Sequence, residues 1–301
     1  MKTLRLLLTA LLALLCAAPA HAVLQVLACE PEWAALVKEL AGDHARVFSA
    51  TTAMQDPHRI EARPALLAQA RRADLLVCTG AELEIGWLPL LQRESGNARI
   101  QEGRTGYFEA ASLVALIEKP AVLDRSQGDV HAAGNPHIHL DPHNLLVVAK
   151  ALAQRLSELA PADAADFRAR HDAFAARLSA AIVDWESRAR DLRGVPVVVH
   201  HRGLSYLCNW LGLDVVGDLE PKPGIDPSAA FLGQMLTQLK GRPAKMVLRV
   251  GYQSPRASEW IAAQAGMKAV ALPYTVGGSD QAIDLFSLFD DTIAKLLAAA
   301  R

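Results

Sequence analysis

Short apolar runs alternate with segments of helical spacing along the first half of the chain. Residues 23–28 and 74–78 are compact apolar stretches typical of buried strands, and residues 46–49 form a shorter one. Helical spacing is found at residues 31–41, before Gly42, and again further along the chain. Strands that alternate with helices predict βαβ units and a parallel sheet.

The second half of the chain repeats this alternation. Residues 195–199 are four valines and one proline, a composition typical of a buried strand. Three further strands are predicted, separated by helical patterns, at residues 214–216, 245–250 and 269–272. We therefore predict an α/β protein of two lobes, each built on a parallel sheet flanked by helices.

A long helical pattern connects the two halves. Asp163 is a good N-cap, apolar residues recur at spacings of three, four or seven as far as Leu192, and Gly194 is a stop signal. About 29 residues at a rise of 1.5 Å give a helix of roughly 44 Å, which is longer than one small domain. The expected organisation is a leader, an N-terminal lobe, a stiff linking helix and a C-terminal lobe, at residues 1–22, 23–160, 161–193 and 194–301.

The first 22 residues have the pattern of an export signal. Lys2 and Arg5 precede an apolar run at residues 6–15, and Ala20-His21-Ala22 is a small-residue cleavage site. We expect cleavage after Ala22 and a periplasmic location. Neither this run nor any later segment has the roughly 18 uninterrupted apolar residues that a transmembrane helix needs.

The charge balance of the exported chain excludes some partners. Without Lys2 and Arg5, 29 basic side chains remain against 32 acidic ones, a net charge of −3. This balance argues against a surface for nucleic acid or for an anionic membrane. Since 51% of the chain is hydrophobic, it has enough apolar residues for two cores. We expect the protein to be a monomer.

Histidines occur in three widely separated loops, two of which contain proline. Residues 135–143 read Asn-Pro-His-Ile-His-Leu-Asp-Pro-His, His58 follows Asp56-Pro57, and His201 follows the valine strand. Proline restricts the backbone and can hold a neighbouring imidazole out of regular structure. Ligands of open parallel sheets bind beyond the carboxyl ends of the strands. His58, His137 and His201 are therefore predicted to converge on one transition-metal ion.

Each of these residues also has a simpler interpretation. A single loop histidine is usually a surface residue, but three at equivalent positions favour a metal site. Asp280 follows the last strand and is either a fourth ligand or the N-cap of the closing helix. Glu61, one helical turn from His58, either accepts a hydrogen bond from that imidazole or starts a helix. Three imidazoles favour zinc, because manganese prefers more oxygen ligands.

In their order and spacing these motifs resemble the periplasmic zinc/manganese substrate-binding proteins of ABC transporters, the group with a rigid linking helix. The resemblance covers nearly the whole exported chain and rests on Asp56-Pro57-His58, residues 135–142 and Val199-His200-His201. It implies that His58, His137 and His201 are the ligands. It also implies that His139, where the family commonly has tryptophan, lies in the layer behind them.

The chain departs from the family pattern in two places. Leu272-Pro273 stands where the family often has an aspartate directly after the last strand. The residue that supplies the oxygen ligand is therefore not identified by this comparison. The long histidine-rich loop of many zinc members is reduced here to residues 128–134, in which His131 could belong to a metal-collecting loop.

The resemblance implies a protein that is not an enzyme. It would capture a divalent metal, zinc before manganese, in the cleft between lobes and hand it to an inner-membrane ABC permease with its ATPase. One alternative is a secreted zinc hydrolase, because zinc on three imidazoles with an open position can activate water. Another is a binding protein for an organic chelator such as a siderophore, although the aromatic content of 5% does not favour such a pocket.

Three cysteines remain after removal of the leader. Cys29 and Cys78 end strands that would be neighbours in the common 2-1-3 order, so we predict a disulfide between them. The alternative is a pair of buried free thiols. Cys208 lies seven residues beyond His201 and is expected in the core.

Overall fold

The computed structural model describes residues 23–120, 128 and 130–301. The predicted leader, residues 1–22, lies outside this range. The N-terminal lobe contains a parallel sheet of four strands in the order β2–β1–β3–β4. Its strands are β1 Leu24–Ala28, β2 Ala45–Ser49, β3 Leu75–Cys78 and β4 Tyr107–Glu109.

The C-terminal lobe repeats this topology. Its four parallel strands have the order β6–β5–β7–β8, so the first strand of each lobe is central and the next strand lies on its outer side. The strands are β5 Pro196–Val199, β6 Asp214–Asp218, β7 Met246–Val250 and β8 Lys268–Leu272. The central strands are buried on both faces, which explains why they read as continuous apolar runs.

Helices flank both sheets. In the N-terminal lobe they are α1 Pro31–Ala41, α2 Pro64–Arg72, α3 Leu88–Ser95 and α4 Pro142–Leu159. The linking helix is α5 Ala164–Arg188. In the C-terminal lobe they are α6 Ser205–Leu211, α7 Ala229–Gly241, α8 Pro255–Ala265 and α9 Leu285–Ala300. No described helix is both long enough and apolar enough to cross a membrane.

The linking helix packs against both lobes. Single 3-10 turns at Pro161–Asp163 and Ala189–Leu192 extend it at either end. Its apolar stripe contributes Phe174 and Leu178 to a core that reaches both sheets, and Trp185 donates a hydrogen bond to Asp290 of the closing helix at 3.0 Å. The predicted two-lobe α/β fold with a long connecting helix is confirmed.

Side chains hydrogen-bond to the backbone ahead of two helices. Glu84 accepts hydrogen bonds from the backbone N–H groups of Thr79 and Gly80 and stabilises a turn before α3, which starts at Leu88. The closing helix starts after Asp284, which forms a capping box with Ser287. Asp280 is therefore not the N-cap of that helix.

The cysteines lie where the strand order places them. β1 and β3 are neighbours, and Cys29 and Cys78 at their ends are joined by a disulfide with their Cα atoms 4.8 Å apart. Cys208 is a buried free thiol in α6. The disulfide therefore links β1 and β3 at their carboxyl ends.

Candidate metal site

The three predicted imidazoles meet between the lobes. His58 lies in the loop after β2, His137 in the loop before α4, and His201 directly after Val199 and His200 at the end of β5. The ring centroids of His58 and His137 are 5.3 Å apart, those of His137 and His201 are 5.4 Å apart, and those of His58 and His201 are 5.8 Å apart. Loops at the carboxyl ends of both sheets thus bring together residues that are distant in sequence.

A fourth imidazole, from His131, joins this group. Its Nε2 atom lies 3.3 Å from Nε2 of His58, and its ring centroid is 6.3 Å from that of His137. Potential ligand atoms of these three residues all lie within 4.8 Å of one another. The short loop around residue 131 therefore reaches the site itself.

The nitrogen separations match those of a tetrahedral metal centre. Nε2 of His201 lies 3.4 Å from Nε2 of His137, as close as the other Nε2 pair. Ligands placed about 2.0–2.1 Å from a tetrahedral zinc ion are separated from each other by about 3.3–3.4 Å. The two pairs can thus supply two edges of one tetrahedron.

Two of the rings hydrogen-bond to carboxylates through Nδ1, the nitrogen that faces away from the ring cluster. Nδ1 of His58 donates to Oδ1 of Asp56 at 2.7 Å, and Nδ1 of His201 donates to Oε2 of Glu220 at 2.7 Å. An ionised carboxylate only accepts, so Nδ1 carries the proton and Nε2 keeps the lone pair that a metal requires. Burial would raise the pKa of Asp56, but the hydrogen bonds and charge of His58, together with the charge of His201, outweigh burial and lower this pKa.

A phenol contacts the corresponding nitrogen of the third ring. Nδ1 of His137 lies 2.5 Å from the hydroxyl oxygen of Tyr274, which follows β8. Asn135 fixes the backbone of His137 by accepting its N–H at 3.0 Å. The Nε2 atom of His137 is consequently directed toward His201.

The protonation of the imidazoles suits a cation. Burial, with the neighbouring rings of His58 and His201, holds the pKa of His137 well below its usual value. The same causes lower the pKa of His131 to about 3. Burial also acts to lower the pKa of His201, but the hydrogen bond and charge of Glu220 outweigh it, so this pKa is raised. Two of the rings are therefore neutral at pH 7 without any metal.

Close packing around the rings depends on Gly203. A Cβ atom at this position would lie 3.0 Å from Cδ2 of His201 and 3.5 Å from Cδ2 of His137. The backbone of the loop after β5 approaches both rings, and a larger residue would require the ring of His201 to shift by a few tenths of an ångström. This explains the His-Arg-Gly sequence that follows β5.

The site opens through a mouth in which acidic side chains outnumber basic ones. A cavity of about 430 Å³ is lined by His131, His137 and His201, by the carboxylates of Glu118, Asp218 and Glu220, and by the cations of Lys119 and Arg202. Burial raises the pKa of Asp218 to about 6, so it is mostly ionised at neutral pH. Carboxylates around an opening raise the local concentration of cations.

The remaining predicted residues lie away from the ring cluster. His139 is buried behind it, with Nε2 at 2.9 Å from the carbonyl oxygen of Tyr274. Glu61 is exposed, and Asp56 instead of Glu61 accepts the proton of the His58 imidazole. Asp280 is exposed too, and among the described residues it is not one of the clustered ligand groups.

Sequence reasoning did not identify the residues that orient the rings. Asp56 is two positions before His58, and this short Asp-Pro-His spacing was an available signal. Glu220 and Tyr274 follow β6 and β8, so their position at the ends of strands was a weaker one. The place of His131 depends on the path of its loop, which no local pattern specifies.

A comparison with protein families supports the same kind of site. The family model described as "ZnuA: Zinc-uptake complex component A periplasmic" matches residues 26–299. This match covers almost all of the described chain.

Individual relatives are more distant. The chain is 29% identical over 157 residues to the metal ABC transporter substrate-binding lipoprotein ScbA of Streptococcus cristatus, an alignment that covers 52% of this chain and 48% of that protein. It is 21% identical over 243 residues to the zinc-binding protein AdcA of Streptococcus pyogenes serotype M1, covering 78% and 47%. The chain spans about half the length of the curated relatives it matches.

Solved structures share the fold. A crystal structure of ZnuA superposes with a TM-score of 0.76 at 24% identity, covering 93% of this chain and all of that one. The Mn-bound periplasmic metal binding protein from Candidatus Liberibacter asiaticus gives a TM-score of 0.74 at 16% identity, covering 92% and 99%. At these levels of identity the solved structures show a shared fold only. The metal ligands of this chain have to be assigned from its own residues.

Proposed function

Since this chain belongs to the family of zinc-uptake complex component A, we propose that it captures a divalent transition metal and delivers it to an ABC permease for import. The observation that carries this proposal is the group of imidazoles between the lobes, whose paired Nε2 atoms are 3.3 Å and 3.4 Å apart. Such a group has the spacing of a metal centre. A substrate-binding component of this kind is not an enzyme.

Zinc is the proposed cargo. Some relatives are named for zinc and others for manganese. The nitrogen-only character of the imidazole group favours zinc, because manganese prefers carboxylate, carbonyl and water oxygens. The carboxylates of Asp56 and Glu220 hydrogen-bond to the imidazole rings, which supports a role in orienting the ligands and not in binding the metal directly.

The proposed ligands are His58, His137 and His201, with His131 in the fourth position. His131 has its Nε2 atom directed at the group, whereas the side chain of Asp280 is exposed. Four protein ligands leave no open position for an activated water, which argues against the hydrolase alternative. The aromatic content of 5% argues against a pocket for a bulky organic chelator.

The proposed setting is the periplasm. The export signal of residues 1–22, with cleavage after Ala22, would place the mature chain there, and the proposed partner is an inner-membrane permease with its ATPase. The acidic mouth around Glu118 and Asp218 supports capture of a cation at low concentration. A monomer is sufficient, because every proposed ligand comes from one chain.

Zinc titration of the mature protein, residues 23–301, tests this proposal. A competition assay against a chromophoric chelator should give one zinc ion per chain. His137→Ala should weaken zinc binding by at least 100-fold, because it removes a ligand from a buried site. His143→Ala is a matched control, since this exposed histidine pairs with Asp141 and lies outside the group.

The control should bind zinc as tightly as the wild type. Absence of tight zinc binding by the folded wild-type protein would overturn the proposed function. Equal affinities for the His137→Ala and His143→Ala variants would overturn the proposed site.

A further inference from the structure

A buried glutamate in the N-terminal lobe holds a loop of the C-terminal lobe. Oε2 of Glu32, in α1, accepts a hydrogen bond of 2.5 Å from the hydroxyl of Thr275, in the loop after β8. The two residues are 243 positions apart in the chain and are 0% and 2% exposed. This carboxylate therefore makes a direct, buried contact between the lobes.

The same carboxylate meets His139. Oε1 of Glu32 lies 3.2 Å from Nδ1 of His139, and Nε2 of that ring lies 2.9 Å from the carbonyl oxygen of Tyr274. The rings of His139 and Tyr274 also pack edge to face, with centroids 4.8 Å apart. Glu32 thus holds Thr275 by a hydrogen bond and lies beside His139, whose Nε2 contacts the carbonyl oxygen of Tyr274.

Tyr274 connects this arrangement to the ring cluster. Its hydroxyl oxygen lies 2.5 Å from Nδ1 of His137, whose Nε2 faces His201. A continuous series of polar contacts therefore runs from α1 to an imidazole of the proposed site. Glu32 itself contacts none of the four rings of that site among the described contacts.

We infer that Glu32 is a positioning residue that slows metal release by holding the Tyr274–Thr275 loop closed against the N-terminal lobe. This inference rests on the proposed function. The proposed ligands come from both lobes, so a bound ion leaves only when the loops of the two lobes separate. Separation must break the Glu32–Thr275 hydrogen bond and leave a buried carboxylate short of a partner, which is unfavourable.

The predicted effect falls on one rate. The hydrogen bond is present in the closed state and absent from the open one, so its loss should speed opening and leave capture by the open state little changed. The dissociation rate constant should rise, and the association rate constant should stay nearly constant. A role confined to folding would change neither.

Stopped-flow release of zinc into excess chelator tests the inference. Thr275→Val removes the hydroxyl, and Thr275→Ser restores it in a smaller side chain. Thr275→Val should release zinc about tenfold faster than wild type, whereas Thr275→Ser should release it at the wild-type rate. Glu84→Gln is the matched control, because Glu84 is a buried glutamate that accepts from Thr79 and Gly80 of its own lobe.

A second variant guards against a folding defect. Glu32→Gln should also speed release, and the Glu32→Gln/Thr275→Val double variant should be no faster than the faster single variant, because one hydrogen bond is shared. Wild-type release rates in all these variants, with zinc bound normally, would overturn the inference alone. Failure of the wild type to bind zinc would instead overturn the proposed function.

Discussion

The hydroxyl oxygen of Tyr274 lies 2.5 Å from Nδ1 of His137, which joins the last strand of the C-terminal lobe to an imidazole from the N-terminal lobe. Burial, followed by the charges around it, raises the pKa of Tyr274 well above its usual value, so the phenol stays protonated. This neutral group lies in the segment after β8, close to the place where the family often has an aspartate. Its hydroxyl group contacts Nδ1 of His137 and so orients that imidazole.

Tyr274→Phe should weaken zinc binding by about tenfold. The substitution keeps the aromatic ring that packs on His139 and removes only the oxygen that orients His137. Loss of a hydrogen-bond partner behind a metal-binding histidine typically costs 10–100-fold in affinity. Competition titration measures the change, and a zinc affinity equal to that of the wild type would show that the phenol has no orienting role.

The fourth ligand can be assigned with a pair of substitutions. His131→Asn should lower zinc affinity by roughly tenfold or more, because it removes the ring that lies 3.3 Å from His58. Asp280→Asn should have little effect, because Asp280 is exposed and outside the group. Zinc titrations of both variants under the same conditions compare their affinities. A larger loss of affinity in Asp280→Asn than in His131→Asn would make Asp280 the fourth ligand.

Zinc affinity should fall as the pH falls, with His201 taking up a proton before His131 and His137. Glu220 raises the pKa of His201, whereas the pKa values of His131 and His137 are lowered. Only a neutral ring binds the metal, so acid competes with zinc once the pH falls through the raised pKa of His201. While one ring titrates, the apparent Kd should rise about tenfold per pH unit.

Replacement of Glu220 tests the cause of this pH dependence. Glu220→Gln removes the charge that raises the pKa of His201, so the acid-induced loss of affinity should begin at a lower pH than in the wild type. Zinc titrations of both proteins between pH 5 and pH 8, expressed as log Kd against pH, measure the displacement. Superimposable profiles would show that Glu220 does not set this proton affinity.

The disulfide should stabilise the N-terminal lobe. Cys29 and Cys78 are 49 positions apart, and a cross-link over a loop of that size contributes about 2–4 kcal/mol to the free energy of unfolding. Denaturant unfolding of a Cys29→Ser/Cys78→Ser variant should show a loss of this order. Denatured, unreduced mature protein should contain one reactive thiol, that of Cys208, and three thiols would contradict the bond.

The sequence predicted the architecture well because the signals for it are local. The valine run at β5 is apolar throughout, and the apolar spacing of the linking helix persists from Phe167 to Leu192. Proline and glycine mark the ends of several elements, such as Pro31 and Gly42 around α1. Such patterns depend on neighbours in the chain and can be read without knowing the fold.

The partners of the histidines depend on tertiary structure and were harder to predict. His58 takes Asp56 instead of Glu61 because the loop stays non-helical as far as Pro64, so residues one helical turn apart do not face each other. Contacts such as Glu32 with Thr275 join residues 243 positions apart. No periodicity in a single sequence specifies pairs of that kind.

The most direct test is a crystal structure of the zinc-loaded mature protein with anomalous data collected on both sides of the zinc absorption edge. The account predicts one strong anomalous peak between the lobes, about 2.0–2.1 Å from Nε2 of His58, His137 and His201, with His131 as the fourth ligand. A peak elsewhere on the protein, or one that contacts fewer than two of those first three rings, would contradict the central claim.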